Sequence, residues 1–207
     1  MGTPEKILDI LKKKGKPFST FHKGSIIKVN DKMQKNYTYT LSEEPGQNLG
    51  FEPYATPEEM LCMGAFEGKY MNDCYEEFPM EWFYKAIALD KLRPQGADPS
   101  INALGVKSRQ PLQVWVENGW VPGGGKSKPH PILSKHDTNP DIRGWFQWYC
   151  RYYIGRRIPE LDKVQISRWK AFTRHAGQVK KNCKPGDLSC RPVQRQALLQ
   201  WSHDPFI

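Results

Sequence analysis

The sequence predicts a mainly helical α+β protein with an aromatic-rich core and a small β-hairpin near its N-terminus. Apolar residues recur at helical spacing through most of the 207-residue chain. Proline and glycine mark where these segments begin and end. Seven Trp, nine Tyr and nine Phe supply large rings for burial. A chain of this length can bury a core without relying on a disulfide or a structural metal.

The first predicted element is a helix that starts close to the N-terminus. Thr3 is a suitable N-cap, Pro4 fits the first helical position, and Gly15 follows the last turn. Lysines collect at the C-terminal end of this segment, where positive charge interacts favourably with the helix dipole.

A β-hairpin is predicted next. Residues 25–30 and 36–41 are rich in β-branched and aromatic side chains and flank a polar turn at 31–35. We therefore divide the chain into a basic N-terminal segment, residues 1–50, and a helical core domain, residues 51–207.

The core domain is expected to be a series of helices connected by short turns. Thr56 and Glu59 form a capping-box pattern, and the helix that begins at Pro159 is expected to reach about Lys181. Helix starts are predicted at Thr56, Pro79, Asp141 or Gly144, Pro159 and Pro192. The expected buried tryptophans are Trp82, Trp115, Trp145, Trp148, Trp169 and Trp201.

Two stretches have a less regular pattern. Residues 103–120 are compatible with a helix-turn-helix, although any two helices joined by a glycine turn give the same pattern. Residues 121–140 are rich in proline, glycine and lysine, which is typical of a mobile loop.

Three runs carry a resemblance to a known family: PEEMLCMGAFEGKYMNDCYEEFPMEWF, GWFQWYCRYYIGRR and RPVQRQALLQW. They resemble a widespread family of uncharacterised proteins from cellular and viral genomes, over roughly residues 55–207. The resemblance implies that 55–207 is one folding unit, whereas residues 1–50 look like an added segment. The family has no established activity, so the resemblance implies no catalytic residues.

Cysteine usage and hydropathy indicate an intracellular protein, cytoplasmic or nuclear. The five cysteines are an odd number without framework spacing, so we expect reduced thiols. The N-terminus lacks the apolar region of a signal peptide. Since no apolar run approaches the roughly 20 residues of a membrane span, we expect a soluble protein without a membrane partner.

Positive charge is concentrated in the C-terminal third. The chain carries a formal net charge of +9. Residues 51–90 contain two Lys and nine acidic residues, whereas residues 141–207 contain thirteen Lys or Arg and five acidic residues. A concentrated basic surface attracts polyanions. The predicted partner is therefore a nucleic acid, DNA or RNA, and the oligomeric state is left open.

The predicted nucleic-acid contacts are basic residues of the C-terminal helices, which we expect to converge into one positive surface. Arginine matches phosphate oxygens with its forked donors, and neighbouring rings can stack on bases or on the guanidinium plane. The set is Arg151, Arg156, Arg157, Arg168, Arg174, Lys180, Lys181, Arg191 and Arg195.

An acidic block, residues 67–81, allows a different function, so whether the protein is an enzyme is left open. Close carboxylates can hold Mg²⁺ for phosphoryl chemistry or act as an acid–base pair. Under that alternative, Glu67, Asp73, Glu76 and Glu77 would serve a metal-dependent enzyme acting on nucleic acid or a phosphorylated substrate. The same residues could instead be a solvated face or dock against the basic third. A third alternative is a structural or interaction protein. The leading hypothesis, nucleic-acid binding, requires no cofactor.

Overall fold

The structure is a computed structural model that describes residues 3–93, 95–108, 130–135 and 137–207. This part of the chain contains six helices and one two-stranded antiparallel sheet. The elements are α1 (Pro4–Lys14), β1 (Ile26–Asn30), β2 (Lys35–Thr40), α2 (Pro57–Cys62), α3 (Met80–Ala88), α4 (Trp145–Tyr153), α5 (Pro159–Asn182) and α6 (Pro192–Gln200). The predicted α+β class, with a hairpin and an aromatic core, is confirmed.

The helix starts confirm the capping signals. The Thr3 hydroxyl accepts from the Lys6 amide at the start of α1. At α2, the Thr56 hydroxyl accepts from the Glu59 amide at 3.2 Å, and the Glu59 carboxylate accepts from the Thr56 amide at 2.7 Å. Each end of this capping box satisfies a backbone donor that the helix leaves free.

The hairpin packs one face on the core. Ile27, Val29 and Tyr39 are buried, and the other residues of β1 and β2 are exposed or half-buried. Its turn is organised by Asp31, whose carboxylate accepts from the Gln34 amide at 2.8 Å. The turn therefore brings a buried carboxylate into the interior.

Helix α4 lies at the centre of the core. Every residue from Trp145 to Tyr152 is buried, which is more than the single aromatic face that the sequence predicts. Its rings also make polar contacts: the Tyr149 hydroxyl donates to the Ala55 carbonyl at 2.9 Å. A helix buried on all sides must neutralise any charge that it carries.

The tryptophan predictions are mostly confirmed. Trp82, Trp145 and Trp148 are buried, and Trp169 and Trp201 are half-buried against the same core. Trp115 lies outside the described residues, as do residues 109–129, which contain most of the predicted helix-turn-helix and much of the predicted loop.

The N-terminal segment shares this core. Ile7, Leu11 and Ile27 belong to the same apolar cluster as Trp148. The Met80 amide donates to the Lys16 carbonyl at 2.9 Å, which connects the segment to the start of α3. Residues 3–50 are therefore packed into the described fold.

The expectation of five reduced thiols is wrong. Cys183 and Cys190 form a disulfide across the connection between α5 and α6, where the turn brings their Cα atoms to 5.7 Å. The other three cysteines are free. None of the described helices has the length and apolar character that a bilayer crossing requires.

Candidate nucleic-acid interface

The nine predicted contact residues do not form one surface. Arg151, Arg156 and Arg195 are buried, and Arg157 and Arg168 are half-buried. The four exposed members are Arg174, Lys180, Lys181 and Arg191. The expectation that these residues converge into one positive surface is therefore corrected, because the buried members cannot reach a ligand on the surface.

Arg151 is the centre of a buried ion network. Its guanidinium donates to Glu77 at 2.6 Å, to Asp141 at 2.9 Å and to the Gln34 side chain at 2.8 Å. Arg156 makes two bonds to the same Asp141 carboxylate, at 2.7 and 2.6 Å. These groups come from the hairpin turn, the acidic block and the segment 141–156 that contains α4, so the network joins three parts of the fold.

Arg143 extends this network to the hairpin. One of its nitrogens lies 3.0 Å from Asp31 and 2.9 Å from Asp73. We call the set formed by Asp31, Asp73, Glu77, Asp141, Arg143, Arg151 and Arg156 the buried ion network.

Charge pairing inside the network outweighs desolvation. Burial alone would raise the pKa of Asp141, but the guanidiniums of Arg156 and Arg151 hold this pKa below its usual value. Burial would likewise lower the pKa of Arg151, yet Glu77 and Asp141 raise it. These directions favour the charged forms of Asp141 and Arg151, so the buried carboxylate and guanidinium remain an ion pair.

Arg195 organises the C-terminal connection. Its guanidinium donates to the backbone carbonyls of Cys190, Asp187, Pro205 and Ile207 at 2.9, 3.2, 2.7 and 2.7 Å. It thus ties the disulfide-closed turn to the last residues of the chain.

Two other arginines pack against aromatic rings. The guanidinium of Arg157 lies 3.9 Å from the centroid of Tyr152 and donates to the Gln47 carbonyl. Arg168 lies 5.2 Å from the Trp201 ring centroid. Cation–π packing of this kind covers the ring faces and leaves the arginines only partly available.

The four carboxylates considered for Mg²⁺ have separate partners. Their contacts are Glu67 with the Ser108 amide at 2.9 Å, Asp73 with Arg143 at 2.9 Å, Glu76 with Lys14 at 2.9 Å, and Glu77 with Arg151 at 2.6 Å. Among the described residues, only Asp31, Cys74 and Glu77 bring three potential ligand atoms within 4.8 Å. Both carboxylates of that group are paired with arginine, so the group fits an ion network better than a cation site.

Four exposed cations lie along one line of α5, whereas the exposed Lys180 and Arg191 lie off this line. Six positions lie on one face of this helix because they are separated by alternating steps of four and three residues: 163, 167, 170, 174, 177 and 181. All six are exposed. We call these residues the α5 ridge: Lys163, Ser167, Lys170, Arg174, Gly177 and Lys181.

The charge of the α5 ridge is not paired in salt bridges within the described residues. Residues 163–186 contain seven Lys or Arg and no Asp or Glu. None of the four ridge cations is in a salt bridge within the described residues. The opposite side of α5 faces the core through Leu161 and Val179. The ridge therefore presents four aligned positive charges over about 27 Å, at 1.5 Å per residue.

Both ends of α5 are fixed to the protein. Near its start, the Asp162 carboxylate accepts from the Trp148 ring nitrogen at 2.8 Å and from the Ile158 amide at 2.7 Å. At its end, the disulfide and Arg195 hold the following turn. These anchors fix the direction of the ridge.

Sequence reasoning missed two ridge members, Lys163 and Lys170. The signal was present as a helical period: cations at steps of seven, four and seven residues lie on one face, opposite the apolar stripe. The charge count over the whole C-terminal third does not reveal this alignment, because it ignores the position of each cation around the helix.

Comparisons with known proteins gave no match among protein-family models, curated proteins or solved structures. The family resemblance of residues 55–207 thus remains an expectation.

Proposed function

We propose that this protein binds nucleic acid through the α5 ridge. The observation that carries the proposal is the line of four exposed cations, without salt bridges in the described part of the chain, on a helix anchored at both ends. A regular array of phosphates is the complementary ligand. With a nucleic acid as its partner, the protein would act inside the cell, in the cytoplasm or nucleus.

The proposed contacts supply affinity and little sequence recognition. Lysine and arginine release counterions when they neutralise phosphates, and phosphate contacts carry no direct base information. Four contacts give a slope of about −3.6 for log K against log salt, so binding weakens about 100-fold between 50 and 200 mM salt.

The test is fluorescence anisotropy with a labelled mixed-sequence DNA duplex at low salt. The variant reverses the four ridge cations: Lys163→Glu, Lys170→Glu, Arg174→Glu and Lys181→Glu. A matched control reverses four exposed lysines elsewhere: Lys6→Glu, Lys13→Glu, Lys28→Glu and Lys35→Glu. Both variants change the net charge equally.

The ridge variant is expected to lose binding while it keeps its melting temperature, because the ridge makes no salt bridge within the described fold. The control is expected to show a much smaller loss. Equal losses in the two variants, or no binding by the wild-type protein at low salt, would overturn the proposal.

A further inference from the structure

The C-terminal half of α5 packs on α6 along one side and is exposed along the other. In residues 170–182, nine of thirteen side chains are exposed and only Val179 is buried. This half is about 20 Å long at 1.5 Å per residue. Its exposed side carries Lys170, Arg174 and Lys181 of the α5 ridge, and we call residues 170–182 the projecting half because this side is directed away from α6 and the core.

The dimensions of this projecting half match a groove of duplex DNA. A helix with its side chains is about 10–12 Å wide, and the major groove of B-form DNA is about 12 Å wide. The major groove of an A-form RNA duplex is deep and narrow and does not admit a helix.

Two aromatic rings of α5 are already stacked on rings that follow α6. Trp169 lies 4.6 Å from the ring of His203, and Phe172 lies 4.9 Å from the ring of Trp201, both nearly parallel. Single-strand binding depends on free ring faces that stack on unpaired bases. Since these rings pack toward the core side of α5, the ridge presents charge without a stacking platform among the residues that the structure describes.

Gly177 leaves an opening in the middle of the projecting half. It occupies the ridge position between Arg174 and Lys181, and a Cβ placed there would have no atom within 4 Å. Glycine is unfavourable in an exposed helix interior, and no neighbour requires its small size. A ligand that approaches the helix closely at this turn would explain it.

We infer that the ligand of the α5 ridge is double-stranded B-form DNA, with residues 170–182 lying in the major groove and the ridge cations contacting phosphates. The inference rests on the proposed function and adds the class of nucleic acid and the groove. Arg174 lies at the centre of this contact.

The first test compares three probes of equal phosphate number in one competition assay with the wild-type protein: a DNA duplex of about 20 base pairs, an RNA duplex of the same sequence, and single-stranded DNA. The DNA duplex is expected to compete about tenfold better than either other probe. Equal or better competition by single-stranded DNA or by duplex RNA would overturn the inference and leave the proposed function standing.

The second test adds the same neutral side chain at two exposed positions of the projecting half. Gly177→Leu places it on the ridge, and Ala171→Leu places it to the side. If the helix enters the groove, Gly177→Leu weakens duplex binding by about tenfold and Ala171→Leu has little effect. Circular dichroism checks that both variants keep their helix content. Unchanged duplex binding by Gly177→Leu would overturn insertion into the groove.

Discussion

Two groups of basic residues, close in sequence, have opposite roles in this protein. Arg151 and Arg156 lie in the buried ion network and meet carboxylates at 2.6–2.9 Å. Lys170 and Arg174, on the next helix, are exposed and unpaired within the described fold. The difference comes from the helices: α4 is buried on all sides, whereas α5 has a single buried side.

This comparison separates charges that maintain the fold from charges available to a ligand. A buried charge that loses its partner is left desolvated, which is costly. An exposed lysine stays hydrated, and its removal changes stability little. Variants in the first group should therefore change stability, and variants in the second group should change binding.

The largest effect is expected from Arg151→Met. The substitution leaves Glu77 buried without its guanidinium and takes one of two arginines from Asp141. The free energy of unfolding should fall by about 3–5 kcal/mol, measured by urea denaturation. Adding Glu77→Gln should recover part of the loss because it removes the orphaned charge. An unchanged urea midpoint for the single variant would contradict the assigned role.

An intermediate effect is expected from opening the disulfide. The Cys183→Ser/Cys190→Ser variant opens a short closed loop and so raises the entropy of the unfolded chain. The free energy of unfolding should fall by about 2–3 kcal/mol for a loop of this length. Thermal unfolding measures the loss, with Cys62→Ser as a control at a free cysteine. DNA affinity should fall much less than in the ridge variant, since the disulfide fixes the end of α5 but all four ridge cations precede Cys183. A strong loss of affinity would show that the turn belongs to the binding surface.

The smallest effect is expected from Glu76→Gln. This carboxylate pairs with Lys14 on the surface, where the two side chains are 33% and 59% exposed. Removing such a pair changes stability by less than about 1 kcal/mol. Neither this variant nor the wild-type protein should gain thermal stability from Mg²⁺. Stabilisation by Mg²⁺ that is lost in Glu76→Gln would instead favour the metal-dependent enzyme.

Local signals in the sequence predicted the elements well. Thr3, Pro4 and the Thr56–Glu59 capping box located two helix starts, and the turn at 31–35 located the hairpin. These features act over three or four residues, so their physics is contained in the sequence itself. The long helix was predicted for the same reason, and it runs over Pro159–Asn182.

The candidate site was predicted only in part. Arg174 and Lys181 are exposed as expected, and both lie on a helix with a clear apolar stripe. Arg195 was misplaced because its partners, the carbonyls of Pro205 and Ile207, come together only when the chain end folds back. The nearby Cys183–Cys190 pairing likewise depends on the geometry of the turn.

The sequence by itself determined where helices and the hairpin form, and how much positive charge the C-terminal third carries. Tertiary structure alone decided which of those charges remain on the surface. Arg151 meets Glu77 across 74 residues of chain, and Arg143 meets Asp31 across 112. Burial and pairing of a charge depend on which distant groups pack around it, and that information exists only once the core has formed.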